Sequence, residues 1–133
     1  VELKEKKDRV EDAIYATKAA LKEGIVPGGG VALLNASQKI STDDVGEQVL
    51  LNAITSPFNI ILANAGIKVM EDTVDHEGYG KDAITGERID MVKAGIIDPV
   101  LVTKTALKNA VSVVTTIISA DCVISNIRVN ESS

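Results

Sequence analysis

Glu23 to Leu34 reads EGIVPGGGVALL. Three glycines in a row, Gly28, Gly29 and Gly30, follow a proline and run straight into an apolar, helix-like segment. Glycine loses more conformational freedom on folding than any other residue, so the triplet needs a reason. Two readings fit: a tight turn between two helices, or a place where backbone lies very close to a ligand. The last glycine opens the second helix. Free N–H groups at a helix N-terminus, with no side chains in the way, suit a phosphate or another anion. The stretch is not a Walker loop, because no Gly-Lys-Ser/Thr follows. It is not the dinucleotide fingerprint either, because no strand is expected before it.

Upstream, Lys4 to Glu23 carries Val10, Ala13, Ile14, Ala20 and Leu21 at the three-and-four spacing of an amphipathic helix, with Thr17 filling one step. Charge takes the opposite face, and Gly24 supplies a C-terminal stop. Asp12 stands at the edge of the stripe, either solvated or pointing into a cleft. Downstream, a helix is expected from about Val31 to Gln38. Ser41, Thr42 and Asp43 are competent N-caps for the next one, which continues through Leu50, Leu51 and Ile54 until Pro57 breaks or kinks it. Apolar residues resume at Ile60, Ile61 and Leu62 and close at Gly66, with a further short helix over roughly Ile67 to Val74.

The character then changes. Ile84 and Ile89 flank Thr85-Gly86, which suggests a small β-hairpin. Asp98 and Pro99 read as N-cap and first position of a long helix ending near Ala120, with Val102, Leu107, Ala110, Val111 and Val114 turned inward. Asp98 is either a cap or an acceptor for a ligand hydroxyl, and the two roles are compatible. Cys122 to Val129 reads as a strand without an evident partner in this chain. His76 is the only histidine, and no metal-ligand spacing surrounds it.

Composition narrows the classes. The chain has 133 residues, 45% of them hydrophobic, so one domain with an aliphatic core is expected. The aromatics are only Tyr15, Phe58 and Tyr79. A net charge of −5 argues against nonspecific binding to nucleic acid or to an anionic membrane surface. No apolar run reaches the length of a membrane span. The single Cys122 excludes an internal disulfide. Residue 1 is Val1, already inside a helical pattern, and the chain is expected to be a piece of something longer.

Together these blocks are similar to a known family. KEKKDRVEDAIYATKAALKEGIVPGGGVALL (Lys4 to Leu34), NAG (Asn64 to Gly66) and GYGKDAITGERIDMVKAGIIDPVLVTKTAL (Gly78 to Leu107) closely resemble the C-terminal part of group I chaperonins, the GroEL family. The resemblance runs from about Glu2 to Val129, with the blocks in family order. It implies a mainly α, multihelical half of an equatorial domain with a small β-hairpin and a C-terminal strand. Residues 1–22 would be the intermediate-domain helix leading into the lower hinge. Residues 23–133 would be the C-terminal half of the ATP-binding equatorial domain.

Residue by residue, the resemblance makes Asp12 the catalytic, water-orienting aspartate. Gly28 and Gly29 become the turn that approaches the nucleotide. Asp82, Ala83 and Ile84 become the loop beside the adenine, and Asp98 the aspartate that holds the ribose. Lys81 stands where family members often have tyrosine, Asp82 where many have asparagine, and Ile84 where alanine is common. The implied cofactors are ATP and Mg2+, the metal ligand coming from the unmatched N-terminal half. The implied partners are other chaperonin subunits in a homo-oligomeric ring, with co-chaperonin and unfolded proteins bound through an apical domain outside this chain. The implied location is the cytoplasm, or an organellar matrix or stroma. Alone, the 133-residue chain is expected to lack ATPase activity. A rival reading is a helical interaction module whose exposed faces associate. A third, an enzyme using Asp12 and Asp98 as an acid–base pair, has nothing to bring the two together without the family template.

Overall fold

The computed structural model describes residues 1–68 and 76–120. Its elements run α1 (Glu2–Glu23), β1 (Ile25–Pro27), α2 (Val31–Lys39), α3 (Val45–Ala53), α4 (Ser56–Asn64), β2 (Tyr79–Lys81), β3 (Arg88–Asp90), β4 (Ile97–Pro99) and α5 (Val100–Ile118). The chain is mainly helical, as expected, and divides into two units, Val1–Thr103 and Lys104–Ser133. The strand expected over Cys122 to Val129, and most of the helix expected over Ile67 to Val74, lie outside the described residues.

In the first unit, α1 is a 22-residue helix laced by Glu2–Lys6, Glu5–Arg9 and Lys7–Glu11 ion pairs at i,i+4. All three are solvated, so each adds only a few tenths of a kcal/mol. Gly24 ends the helix with φ 88° and donates its N–H to Ala20 O at 2.8 Å. The stripe expected to face a core does not: α1 buries no residue, and Val10, Ile14 and Leu21 are exposed. The period was right and the covering partner is absent among the described residues.

Helix α3 is capped by Asp44 rather than by residues 41–43. The Asp44 carboxylate accepts the Glu47 N–H at 2.9 Å, while the Thr42 hydroxyl accepts the Asp44 N–H and donates to the Glu47 carboxylate. A cap works only where its side chain reaches the third N–H, and Asp44 meets that condition. Pro57 falls in the first turn of α4, where its missing N–H costs nothing, so it starts a helix instead of breaking one.

Two small sheets do the joining. β2 and β3 form the expected hairpin, in the register Tyr79↔Asp90, Gly80↔Ile89, Lys81↔Arg88. Ile84, expected to flank its turn, is instead an exposed member of the 82–87 loop. The Asp82 carboxylate accepts the Ile84 N–H at 2.8 Å, and that local bond takes the backbone out of the ladder. β1 pairs antiparallel with β4, in the register Ile25↔Pro99, Val26↔Asp98, Pro27↔Ile97. A strand therefore does precede the glycine triplet. Asp98 and Pro99 belong to β4, and α5 starts one residue later than a helix capped by Asp98 with Pro99 at its first position.

The core is small: Val31, Leu34, Phe58, Leu62 and Met91 are buried together, with Ile67, Ile89 and Ile96 against them. The turn from β3 into β4 is held by Asp90, whose carboxylate accepts the Lys93 N–H at 3.1 Å and pairs with its ammonium at 3.3 Å. The Lys93 backbone N–H, and then the Lys93 ammonium, hold the Asp90 carboxyl below its ordinary value. A lowered carboxylate contributes stability above the ordinary carboxylate range and loses it as the pH falls through that range. The melting temperature of the wild-type chain is therefore expected to fall more between about pH 5 and pH 3 than that of Asp90→Asn. Equal slopes would contradict this.

The second unit is described through residue 120 and consists of the remainder of α5. Its Val113, Val114, Ile117 and Ile118 are exposed, as are Val102 and Val111 nearer its start. Of the inward face expected of this helix, Leu107 is half-buried, while Val102, Ala110, Val111 and Val114 are uncovered among the described residues. By length and composition alone, α5 is long and apolar enough to cross a membrane, which corrects the expectation that no such run exists.

Candidate functional site

The glycine turn sits between β1 and α2, and each of its glycines is pressed against the protein itself. Gly28 is buried and donates its N–H to Ile96 O at 2.9 Å. A methyl group built on Gly29 would lie 2.9 Å from Met91 Cε, and one built on Gly30 would lie 2.6 Å from Phe58 N. Gly29 and Gly30 also have positive φ, 64° and 79°, which side chains rarely adopt. The close approach that the triplet allows is therefore, first, an approach to Ile96 just before β4, to Met91 and to α4. Gly28 has no N–H left to offer a ligand. Among the described residues, the N–H groups of Gly29 and Gly30 have no backbone acceptor.

Asp98 stands beside this turn. It lies opposite Val26 in the β1–β4 pair, one register step from Pro27, which leads directly into Gly28. Paired Cα atoms in such a ladder are about 4.5–5.5 Å apart. The Asp98 side chain is exposed and makes no hydrogen bond among the described residues, so it is an available acceptor rather than a helix cap.

The hairpin is fixed to the same block. Gly80 packs so tightly under α2 that an added methyl would lie 2.7 Å from Val31 Cγ2 and 2.9 Å from Met91 Sδ. The Met91 N–H donates to Gly78 O at 3.1 Å, and Met91 O accepts the Ile96 N–H at 2.8 Å. From this base the 82–87 loop projects with Ala83 and Ile84 exposed and half of the Asp82 carboxylate occupied by the Ile84 N–H. At the loop base, Arg88 Nη2 donates to His76 Nδ1 at 2.9 Å and its guanidinium lies 4.7 Å from the Tyr79 ring centre. Lys81, its cross-strand neighbour, has no partner among the described residues.

Gly28, Gly29 and Asp98 thus share one small block, to which the Asp82–Ile84 loop is anchored. Asp12 is not brought to them. It is exposed on α1, and it precedes Glu23, at the end where α1 meets β4, by eleven residues, about 16 Å of helix rise. Among the described residues no three His, Cys, Asp or Glu side chains converge as a metal site. What the sequence reading missed is the support: Met91, Phe58 and Ile96, which the turn and hairpin rest on. No periodic signal marks them, since Met91 follows a three-residue strand and Ile96 precedes another.

A helical scaffold carrying a strand–glycine-turn–helix unit, a short hairpin beside it and a free carboxylate on the adjoining strand is the framework these residues define. The TCP-1/cpn60 chaperonin family matches residues 1–128, and the chain belongs to that family. Among solved structures it is similar to a group III chaperonin crystallised in the open state, at 29% identity and a TM-score of 0.69. That match covers 80% of this chain and 25% of the other, so the chain spans about a quarter of that relative's length. The mainly α architecture is that of a fragment of a chaperonin equatorial domain.

Proposed function

We propose that this chain is the C-terminal segment of an ATP-dependent chaperonin subunit that assists protein folding, of group I by its motifs. Residues 1–22 form the intermediate-domain helix, Gly24 lies at the hinge below it, and the rest is the second half of the equatorial domain. The observation that carries this reading is the common anchoring of the glycine turn, the Asp82–Ile84 loop and Asp98 within a chain of this family.

The residues suit a nucleotide. The unpartnered Asp98 carboxylate accepts from ribose hydroxyls. The Gly29 and Gly30 N–H groups, at the N-terminus of the nine-residue α2, face an anion favourably. The exposed Ala83 and Ile84 offer an apolar edge to a base. Bound ATP supplies the phosphoryl group whose transfer to water drives the folding cycle. Asp12 acts by orienting that water, a contribution made by positioning, and it reaches the site by closure of the helix about Gly24. The described residues do not fit a Mg2+ site, and no step here depends on one; its ligand belongs to the rest of the subunit. The subunit works in a homo-oligomeric ring in the cytoplasm or an organellar matrix, with co-chaperonin and unfolded protein bound elsewhere in the subunit. It takes neither nucleic acid nor membrane as partner.

A calorimetric ATP titration with light scattering on the same sample tests this. ATP is expected to bind weakly without turnover, and Asp98→Ala to weaken binding about tenfold or more, the worth of a hydrogen bond to a charged group. Binding indifferent to Asp98→Ala would remove Asp98 from the ribose site, and magnesium-dependent turnover by this chain alone, lost in Asp12→Ala, would overturn its expected inactivity. Association without any ATP binding would favour the interaction module instead, which the exposed apolar side chains of α5 support.

A further inference from the structure

One residue outside the nucleotide set ties its parts together. Met91 is 2% exposed and has four attachments. Its side chain fills the space beside Gly29 with Cε and the space beside Gly80 with Sδ. Its N–H holds Gly78 at the start of the hairpin, and its carbonyl holds Ile96, two residues before Asp98. The glycine turn, the hairpin that carries Asp82, Ala83 and Ile84, and the strand that carries Asp98 therefore all index on Met91. A Cβ added at Gly29 would lie 2.9 Å from Met91 Cε, and one added at Gly80 would lie 2.9 Å from Met91 Sδ, so the thioether occupies the room that a side chain at either glycine would need.

We propose that Met91 is a positioning residue: its side chain sets the separation of the glycine turn from the hairpin, and through it nucleotide affinity. This rests on the ATP reading given above. A displacement of about 1 Å in a positioned group is enough to cost up to two orders of magnitude in what it positions. A thioether tolerates replacement by leucine, which keeps volume, but not by a side chain that leaves a gap.

The test compares Met91→Ala, Met91→Leu and Leu62→Ala. Leu62 belongs to the same buried cluster but is not among the atoms pressed against Gly28, Gly29, Gly30 or Gly80. ATP affinity is measured by calorimetry at a temperature where circular dichroism shows every variant folded, with Met91→Val standing in if Met91→Ala does not fold. Amide exchange is followed at Gly29, Gly30 and Gly80. The truncated Met91 variant is expected to bind ATP at least about tenfold more weakly, with faster exchange at these glycines. Met91→Leu is expected to restore both, and Leu62→Ala to leave both unchanged. Equal effects of the Met91 and Leu62 truncations, or none from Met91, would overturn the proposal. If the unsubstituted chain binds no ATP, the functional reading falls. Met91 is then judged by exchange alone: acceleration confined to the Met91 truncation supports its positioning role, and acceleration in both or neither overturns it.

Discussion

Gly30→Ala is expected to abolish the cooperative unfolding transition of the first unit, or to lower its stability by more than about 3 kcal/mol. Two effects add. Gly30 sits at φ 79°, where an alanine costs roughly 1–2 kcal/mol relative to the ordinary regions. Its methyl would also lie 2.6 Å from Phe58 N and 2.8 Å from Phe58 Cα, which are backbone atoms and not the movable end of a side chain. Relief requires α4 to shift off α2, which opens the buried cluster that holds both Val31 and Phe58. A domain with so few buried residues has little stability to lose. Gly95→Ala isolates the first effect: φ is 76° there, but nothing lies within 4 Å of the added methyl. Denaturant unfolding of the two variants should therefore differ by the clash alone. Equal losses would mean that the glycine turn does not rest on α4.

Asp12→Ala is expected to do the reverse, leaving stability alone and removing turnover. In a complete subunit carrying this segment, ATP hydrolysis should fall about 10²-fold or more, the scale of a group that handles the attacking water. ATP affinity should hold, because Asp12 touches no ribose or base contact. The side chain is exposed and bonded to nothing among the described residues, so its loss should cost less than about 0.5 kcal/mol. Asp8→Ala, on the same exposed helix, serves as the control and should leave hydrolysis unchanged. Single-turnover measurements separate the loss of chemistry from any change in binding. Equal hydrolysis in Asp12→Ala and wild type would remove Asp12 from the mechanism.

The long helices were legible in the sequence because their signals are local and repeated. The stripe through Val10, Ile14 and Leu21 and the stop at Gly24 place α1 within two residues. The same stripe says nothing about what covers it, and α1 and α5 both leave their apolar residues exposed. β1 and β4 were not legible, since a three-residue strand shows no alternation and its pairing joins residues 25–27 to 97–99. That pairing decides where Asp98 stands: it takes Asp98 out of the helix cap and puts it beside the glycine turn. The Asp98-Pro99 pair carried a strong helix-start signal, and tertiary pairing overrode it by one residue. The triplet's own meaning was half legible. Its freedom serves a close approach, but the approach the structure displays is to Ile96, Met91 and Phe58, partners that only folding reveals.

An amide-resolved magnetic resonance titration of the chain with ATP up to millimolar concentration tests whether the glycine turn, the 82–87 loop and Asp98 bind one nucleotide together. Shifts are expected to group at Gly29, Gly30, Ala83, Ile84 and Asp98 and to saturate together, with Met91 responding and Asp12 silent while α1 stays open. Shifts confined to the lysines of α1, at Lys4, Lys6 and Lys7, or no shift at any of the grouped residues, would contradict that joint binding.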